Sequence, residues 1–267
     1  MMDMKTLQKF MEKINSEGKF KGLIKYDEAM SEHCTFKAGG PADVWVRPGK
    51  AVFKSYAARL LGAAKQEGIP VFILGAGANI LVSDRGIRGI VLDTGSWAGS
   101  LPVIHRDNSP NFDESAVCAL SGTQVDKLVD SLARRGLSAL EFLGGMPGSV
   151  GGAVWMNARC YEKSISDVLL ETEILDENYE IQKIPFRKED FSYKKSPFQS
   201  REVLILSASF KIEAREPKEM RREINSYRKD RRDKGHYRFP SAGSAFKNNH
   251  AFGEPSGKII DQAGLRG

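Results

Sequence analysis

Apolar positions along the chain fall into two periods, about 3.6 and about 2 residues, and these set out the elements. Leu7, Phe10, Met11 and Ile14 share one face of a helix predicted over 4–17. Phe53, Tyr56, Leu60, Leu61 and Ala64 form a second stripe over 51–67, closed by Gly68. A third helix is predicted over 124–135, closed by Gly136. Short apolar runs predict strands at 42–46, 70–74, 87–92 and 116–120, and alternating runs predict an antiparallel group at 168–175, 180–184 and 203–212. The stretch 141–159 reads as irregular and glycine-rich, 215–233 as a charged helix, 240–248 as a loop or short strand, and 254–263 as a closing helix. Helical and strand signals that alternate in this way imply an α+β chain, with a boundary near 214–217.

Composition narrows the function classes. The chain has 267 residues, 41% hydrophobic and 28% charged, which suits a globular protein of two or three small lobes. No apolar run reaches the length of a membrane span, and 1–20 lacks the apolar core of a secretory signal. Three widely spaced cysteines and four histidines, with no CxxC, point to a reducing, cytoplasmic setting and to no metal. The net charge of +6 is mostly local: 221–238 holds eight Lys/Arg against three Asp/Glu. Such a run can be a solvated helix face, a nucleic-acid surface or the seat of a small polyanion. Glu223, Asp230 and Asp233 weaken the nucleic-acid reading, because they repel phosphates.

Three loops could carry chemistry. Gly75-Ala76-Gly77-Ala78-Asn79-Ile80 follows the strand VFIL, and its glycines let backbone amides converge on an anion. It is neither a dinucleotide fingerprint, since Ile80 takes the third glycine's place, nor a P-loop, since no GK[ST] follows. The second loop runs from Gly144 to Ala153, with Pro147, Gly148, Ser149, Gly151 and Gly152 at its centre and five glycines in nine residues. It is read as following a strand, like the first, and it suits close approach to a flat or phosphorylated ligand; the competing reading is a tight crossing between lobes. Two such loops suggest one long ligand with a pyrophosphate in its middle. The third loop, Pro240 to Asn248, sets Ser244 between Gly243 and Ala245. No hydrolase-type glycine pattern or neighbouring histidine supports a nucleophilic serine.

In this order, the motifs resemble the UDP-N-acetylenolpyruvoylglucosamine reductase (MurB) family of flavoenzymes. The matching residues are Thr35-Phe36 with Gly39-Gly40, the loop from Gly75 to Asn79 with Leu81 and Gly86, and Gly145 to Ala153 with Met156-Asn157-Ala158. Tyr193 and Ser196, Ala242-Gly243-Ser244 with Phe246-Lys247-Asn248, Ile259-Ile260 and Gly264-Leu265 complete the match, which covers about 34–267. The short spacing between Tyr193 and Ser244 resembles the subtype that lacks an inserted tyrosine loop.

The resemblance implies a two-lobed FAD-binding fold of the type shared with PCMH-type flavoproteins, plus a substrate-binding domain. The corresponding segments are 1–20 (N-terminal helix), 21–97 and 98–214 (FAD lobes), and 215–267 (substrate domain, expected to be truncated). It implies FAD on the residues Gly75, Ala76, Gly77, Ala78, Asn79, Ile80, Pro147, Gly148, Ser149, Gly151 and Gly152, NADPH as reductant, and a UDP-sugar enolpyruvate as substrate. Ser244 matches the family's proton donor, and Tyr193, Arg232, Lys234 and Asn248 are the substrate-binding candidates. A cytoplasmic monomer that engages neither nucleic acid nor membrane is expected.

Three departures stand out. Lys194 occupies the place of the family's catalytic arginine and keeps the charge without the bidentate fork. Asn157-Ala158-Arg159-Cys160-Tyr161-Glu162 replaces Asn-Ala-Gly-Ala-Tyr-Gly, so Arg159 is a second candidate for the cation. A glutamate expected in the family's C-terminal strands has no counterpart before Gly267. The alternatives are a divergent or inactive FAD-binding paralogue and a nucleotide or nucleic-acid binding protein.

Overall fold

The N-terminal amphipathic stripe forms helix α1 (Met4–Ser16), with Leu7, Phe10, Met11 and Ile14 buried. It lies beside α2 (Phe53–Gln66) over the strands β1 (Gly22–Ala29), β2 (Pro41–Pro48), β3 (Val71–Leu74) and β4 (Ile87–Asp93). The computed structural model describes residues 3–16, 20–99, 103–105 and 116–265. Parts of the expected segments 1–20, 98–214 and 215–267 therefore lie outside the described residues. The first sheet has the order β1-β2-β4-β3; β1 pairs antiparallel with β2, and β4 runs parallel to β2 and β3. Residues of β2 alternate between two cores, as a strand period of 2 requires. Val44 and Val46 pack under the helices, and Trp45 packs on the opposite face with Met30, Leu74 and Val91.

The second sheet has the order β11-β10-β12-β6-β5, built from β5 (Val103–His105), β6 (Ala116–Leu120), β10 (Leu169–Leu175), β11 (Ile181–Pro185) and β12 (Leu204–Lys211). Four two-residue strands complete the count: β7 (Leu137–Ser138), β8 (Arg159–Cys160), β9 (Lys163–Ser164) and β13 (Glu213–Ala214). Helices α3 (Val125–Arg134) and α4 (Val150–Trp155) bury Leu128, Val129, Leu132, Val150 and Val154 in one core with Ala208 and Phe210. Leu175, Leu204 and Leu206 pack into the core of the first sheet, and Trp97 Nε1 donates to the Leu206 carbonyl at 2.7 Å, which joins the two lobes. Helix α5 (Pro217–Asp233) then crosses α3, and α6 (Ser256–Gln262) closes the described chain.

The mixed helix and sheet architecture is the expected one, and the predicted elements lie within two residues of those observed. Two local expectations are corrected. Residues 141–159 are not irregular throughout, because α4 lies inside them. Glycines at 151 and 152 hide the helical signal, and the Ser149 hydroxyl supplies the cap by accepting from the Gly152 amide at 3.4 Å. The second glycine loop consequently follows a 3₁₀ turn, Glu141–Leu143, and not a strand. Strand β1 has no counterpart in the apolar pattern because it is an edge strand with most side chains in solvent.

Candidate active site

Three loops from distant parts of the chain meet beside β3. At the first, Gly77 has φ +63° and lies against the His33 carbonyl. Its own carbonyl accepts the Thr35 amide at 3.0 Å. Thr35 is also the anchor of the serine loop: its hydroxyl donates to the Ser241 carbonyl at 2.6 Å, and its carbonyl accepts the Ser241 amide at 3.2 Å. Gly243, at φ +85°, lies over Asn79 and Ala78, with Asn79 Oδ1 3.1 Å from where a Cβ would stand. Ser244 is thus carried to the edge of the first glycine loop with its side chain exposed.

The second glycine loop is brought to the same place. A Cβ on Gly75 would stand 2.4 Å from Ser149 Oγ, and one on Gly151 would stand 2.8 Å from Ser121 Cβ, so only glycine allows these approaches. Gly148 has φ +144°, with only Met146 Cε, at 4.0 Å, near where a Cβ would stand, and Pro147 and Gly152 are exposed. Ile80 is turned away, into the small core around Trp45.

The Tyr193–Ser196 stretch is a tight turn. Ser192 and Lys195 exchange backbone bonds at 3.2 and 3.0 Å, and Lys194 takes φ +58°, unusual for a residue with a Cβ. Asn157 holds the turn by donating from Nδ2 to the Ser192 carbonyl at 2.9 Å, and the buried Ser196 donates to the Trp155 carbonyl at 2.7 Å. Lys194 is half-buried and its ammonium has no anionic partner among the described residues. Arg159 is exposed on β8, and Tyr193 is half-buried at the start of the turn.

Helix α5 grips the second loop. Arg231, 8% exposed, donates from Nε to the Gly144 carbonyl at 3.0 Å and from Nη2 to Cys160 Sγ at 3.1 Å. Tyr237 donates to the Gly145 carbonyl at 2.6 Å, while the Gly145 amide donates to Asp126, itself paired with Arg228 at 2.7 Å. Arg228 and Arg232 line a hollow of about 340 Å³ with Gly145, Met146 and Pro147. Lys234 lies one turn beyond Asp230 and pairs with it at 2.7 Å. The same carboxylate accepts the Tyr161 hydroxyl at 2.8 Å; burial and this bond push the Tyr161 phenol up to about 12. The Lys234 bond, followed by the Tyr161 bond, holds Asp230 below the usual carboxylate range. Asn248 is used locally, accepting the Ser256 amide at 3.0 Å at the start of α6.

Between the lobes, Cys34, Thr35, Gly75, Ala76, Gly122 and Thr123 line part of a cleft of about 730 Å³. The amides of Gly75, Ala76 and Gly77 meet no acceptor among the described residues. One buried polar atom lining this cleft, Arg47 Nε, is also without a partner. Unsatisfied buried donors are rare in folded chains and mark where a ligand completes the bonding. The donor set, converging amides and a guanidinium in a long cleft, fits a phosphorylated dinucleotide such as FAD.

The comparisons agree with this geometry. Residues 55–184 match the model of the FAD binding domain family. The UDP-N-acetylenolpyruvoylglucosamine reductase of Borreliella burgdorferi is 36% identical over 265 residues, covering 98% of this chain and 81% of its own length. That of Bacillus subtilis is 34% identical, covering 96% of this chain and 81% of its own length. The chain belongs to the UDP-N-acetylenolpyruvoylglucosamine reductase family. The crystal structure of the Thermus caldophilus reductase (MurB) superposes with a TM-score of 0.70 at 27% identity, over 93% of this chain and 82% of that one. Cholesterol oxidase from B. sterolicum shares the fold alone, with a TM-score of 0.55 at 13% identity over 72% of this chain and 38% of that one.

For a member of the reductase family, several residues of this site were not singled out from the sequence. Thr35 appeared only as part of a motif, and its role in joining the serine loop to the glycine loop depends on a pairing 206 residues apart. Arg231 was one cation among eight; only burial separates it from its neighbours. Asp126 gave no sequence signal, since a single carboxylate has no period.

Proposed function

We propose that the chain reduces UDP-N-acetylglucosamine enolpyruvate to UDP-N-acetylmuramate with NADPH and FAD, a step in making the peptidoglycan precursor, as a cytoplasmic monomer. The observation that carries the reading is the convergence of both glycine loops and the Ser244 loop on one edge of β3, in a chain whose relatives bear the reductase's name. When bound, FAD would pass a hydride taken from NADPH to the terminal carbon of the enolpyruvyl double bond. The loops from Gly75 to Ile80 and from Pro147 to Gly152 would hold its pyrophosphate through backbone amides. Negative charge then gathers on the carbon next to the substrate carboxylate. The Ser244 hydroxyl supplies a proton to that carbon and so completes the lactyl ether. The Lys194 ammonium faces the developing charge in the role that the resemblance gives to arginine. Arg232 lines a basic hollow at the second glycine loop, which suits the substrate's diphosphate, with Lys234, Tyr193 and Asn248 as further binding candidates. Three unpaired cysteines fit a reducing compartment.

Ser244 provides the test. Reduction of FAD by NADPH needs no acid of this kind, so Ser244→Ala leaves that half-reaction near the wild-type rate. Reoxidation by the enolpyruvyl nucleotide should slow by about 10²–10⁴-fold, the usual worth of a positioned acid. Ser244→Cys should recover part of the loss. A Ser244→Ala protein that reoxidises at the wild-type rate would remove Ser244 from the mechanism. A protein that binds FAD but never responds to the nucleotide would favour the inactive paralogue.

A further inference from the structure

The turn that carries Lys194 is held in a conformation its sequence does not favour. An L-residue at φ +58° sits in the left-handed region, at a cost of about 1–2 kcal/mol for a side chain with a Cβ. Such a residue persists where its surroundings over-determine it. The two backbone bonds between Ser192 and Lys195 close the turn, yet they leave the Lys194 carbonyl outside the ladder. That carbonyl is taken by Gln199, whose Nε2 donates to it at 3.0 Å.

The same Nε2 donates its other proton to the Trp155 carbonyl at 2.9 Å. Trp155 is the last residue of α4, and the final carbonyls of a helix have no partner inside it. Helix α4 is capped at its start by Ser149, the residue seated against Gly75. Its six residues span about 9 Å at the α-helical rise, so it is a short strut from the glycine loops to the Lys194 turn. Gln199 is the side chain that bonds the far end of this strut to the lysine's own backbone. Ser196 reaches the Trp155 carbonyl as well.

We propose that Gln199 is the positioning residue of Lys194: one carboxamide fixes the backbone from which the ammonium reaches the substrate carboxylate, in register with the glycine loops. This rests on the assignment of Lys194 above. An amide has the two donors this task requires. A carboxylate at 199 would repel both carbonyls, and an alkyl chain would leave the Lys194 carbonyl without this donor and the Trp155 carbonyl with Ser196 alone.

The test is a double-mutant cycle on the FAD-loaded protein, read by calorimetric binding of two probes. UDP-N-acetylglucosamine enolpyruvate carries the carboxylate, and UDP-N-acetylglucosamine lacks it. Lys194→Ala and Gln199→Leu should each weaken the enolpyruvyl nucleotide about tenfold, the middle of the range for coupled neighbours. The double variant should lose no more than Lys194→Ala alone. Binding of UDP-N-acetylglucosamine and FAD content should stay unchanged in all three, which a general loosening of the lobe would not allow. Gln199→Glu keeps the size without donors and should lose at least as much as Gln199→Leu, so the outcome does not hang on one variant folding. Additive losses in the double variant, equal losses for both probes, or unchanged binding in Gln199→Leu would each overturn the inference. A silent Lys194→Ala would instead overturn the assignment of Lys194 beneath it.

Discussion

Gly77 allows the contribution of the first glycine loop to be measured against an internal standard. It has φ +63°, and a Cβ there would stand 2.1 Å from the His33 carbonyl oxygen and 2.8 Å from Cys34 Cα, both backbone atoms that cannot rotate away. Gly68, just after α2, has nearly the same φ, +66°, and nothing within 4 Å of the corresponding position. Gly68→Ala therefore carries the left-handed penalty alone, about 1–2 kcal/mol. Gly77→Ala carries that penalty plus an overlap that ordinary contact distances relieve only by moving the loop roughly an ångström, which adds about 1–3 kcal/mol of overpacking. The difference between the two variants in urea unfolding of the flavin-free protein isolates the second part. Ordering of the loop also predicts a functional split. Gly77→Ala should purify with clearly less FAD per chain, read from the ratio of flavin to protein absorbance, whereas Gly68→Ala should keep its full complement. Equal destabilisation of the two, with equal flavin content, would refute both the seating of the loop on His33 and its role in holding the cofactor.

Other perturbations test neighbouring parts of the site. Arg231→Met removes bonds to the Gly144 carbonyl and Cys160 and should cost about 2–3 kcal/mol in urea unfolding, the scale of a charged hydrogen bond lost from a buried place; a change below 0.5 kcal/mol, within the usual scatter of surface substitutions, would return it to the solvated face of α5. Lys234→Glu should raise the substrate KM more than it lowers kcat, as loss of uniform binding does; an unchanged KM leaves Lys234 with only its pairing to Asp230. The folded chain retains the Tyr161 proton to about pH 12, against about 10 for an ordinary phenol, so this stabilisation is complete below pH 10 and is lost as the pH rises towards 12. Tyr161→Phe should flatten that part of the alkaline decline in thermal midpoint, and an unchanged slope would place the titration elsewhere.

What the sequence conveyed depended on the range of the interaction. Helices α1, α2 and α3 were legible because burial repeats every three or four residues within one segment. Strands β6, β10, β11 and β12 of the second sheet were legible because their apolar pattern is local as well, whereas β5 was not read. Helix α4 was hidden by Gly151 and Gly152; at Gly151 the glycine reflects close approach to Ser121 and not the absence of a helix. Candidate loops could be found by their glycines, but their meeting could not, since Gly75 against Ser149 and Thr35 against Ser241 are contacts between segments far apart in the chain. Burial likewise separates Arg231 from Arg232, two adjacent residues of the same kind. One faces the second loop and is almost fully enclosed, while the other is open at the hollow beside it.

On the proposed assignment of Lys194, the arrangement of supports is compatible with lysine where the resemblance gives an arginine. The parts that set position are backbone groups: open amides on the first loop, carbonyls of Gly144 and Gly145 held by Arg231 and Tyr237, and carbonyls of Trp155 and Lys194 held by Gln199. None of these depends on which cation is carried at 194. An ammonium on a four-carbon stem adapts to its target, whereas a guanidinium needs a fixed plane for bidentate contact. The turn at 194 therefore has to fix only where the stem begins, and Lys194→Arg should retain substrate binding through the same support.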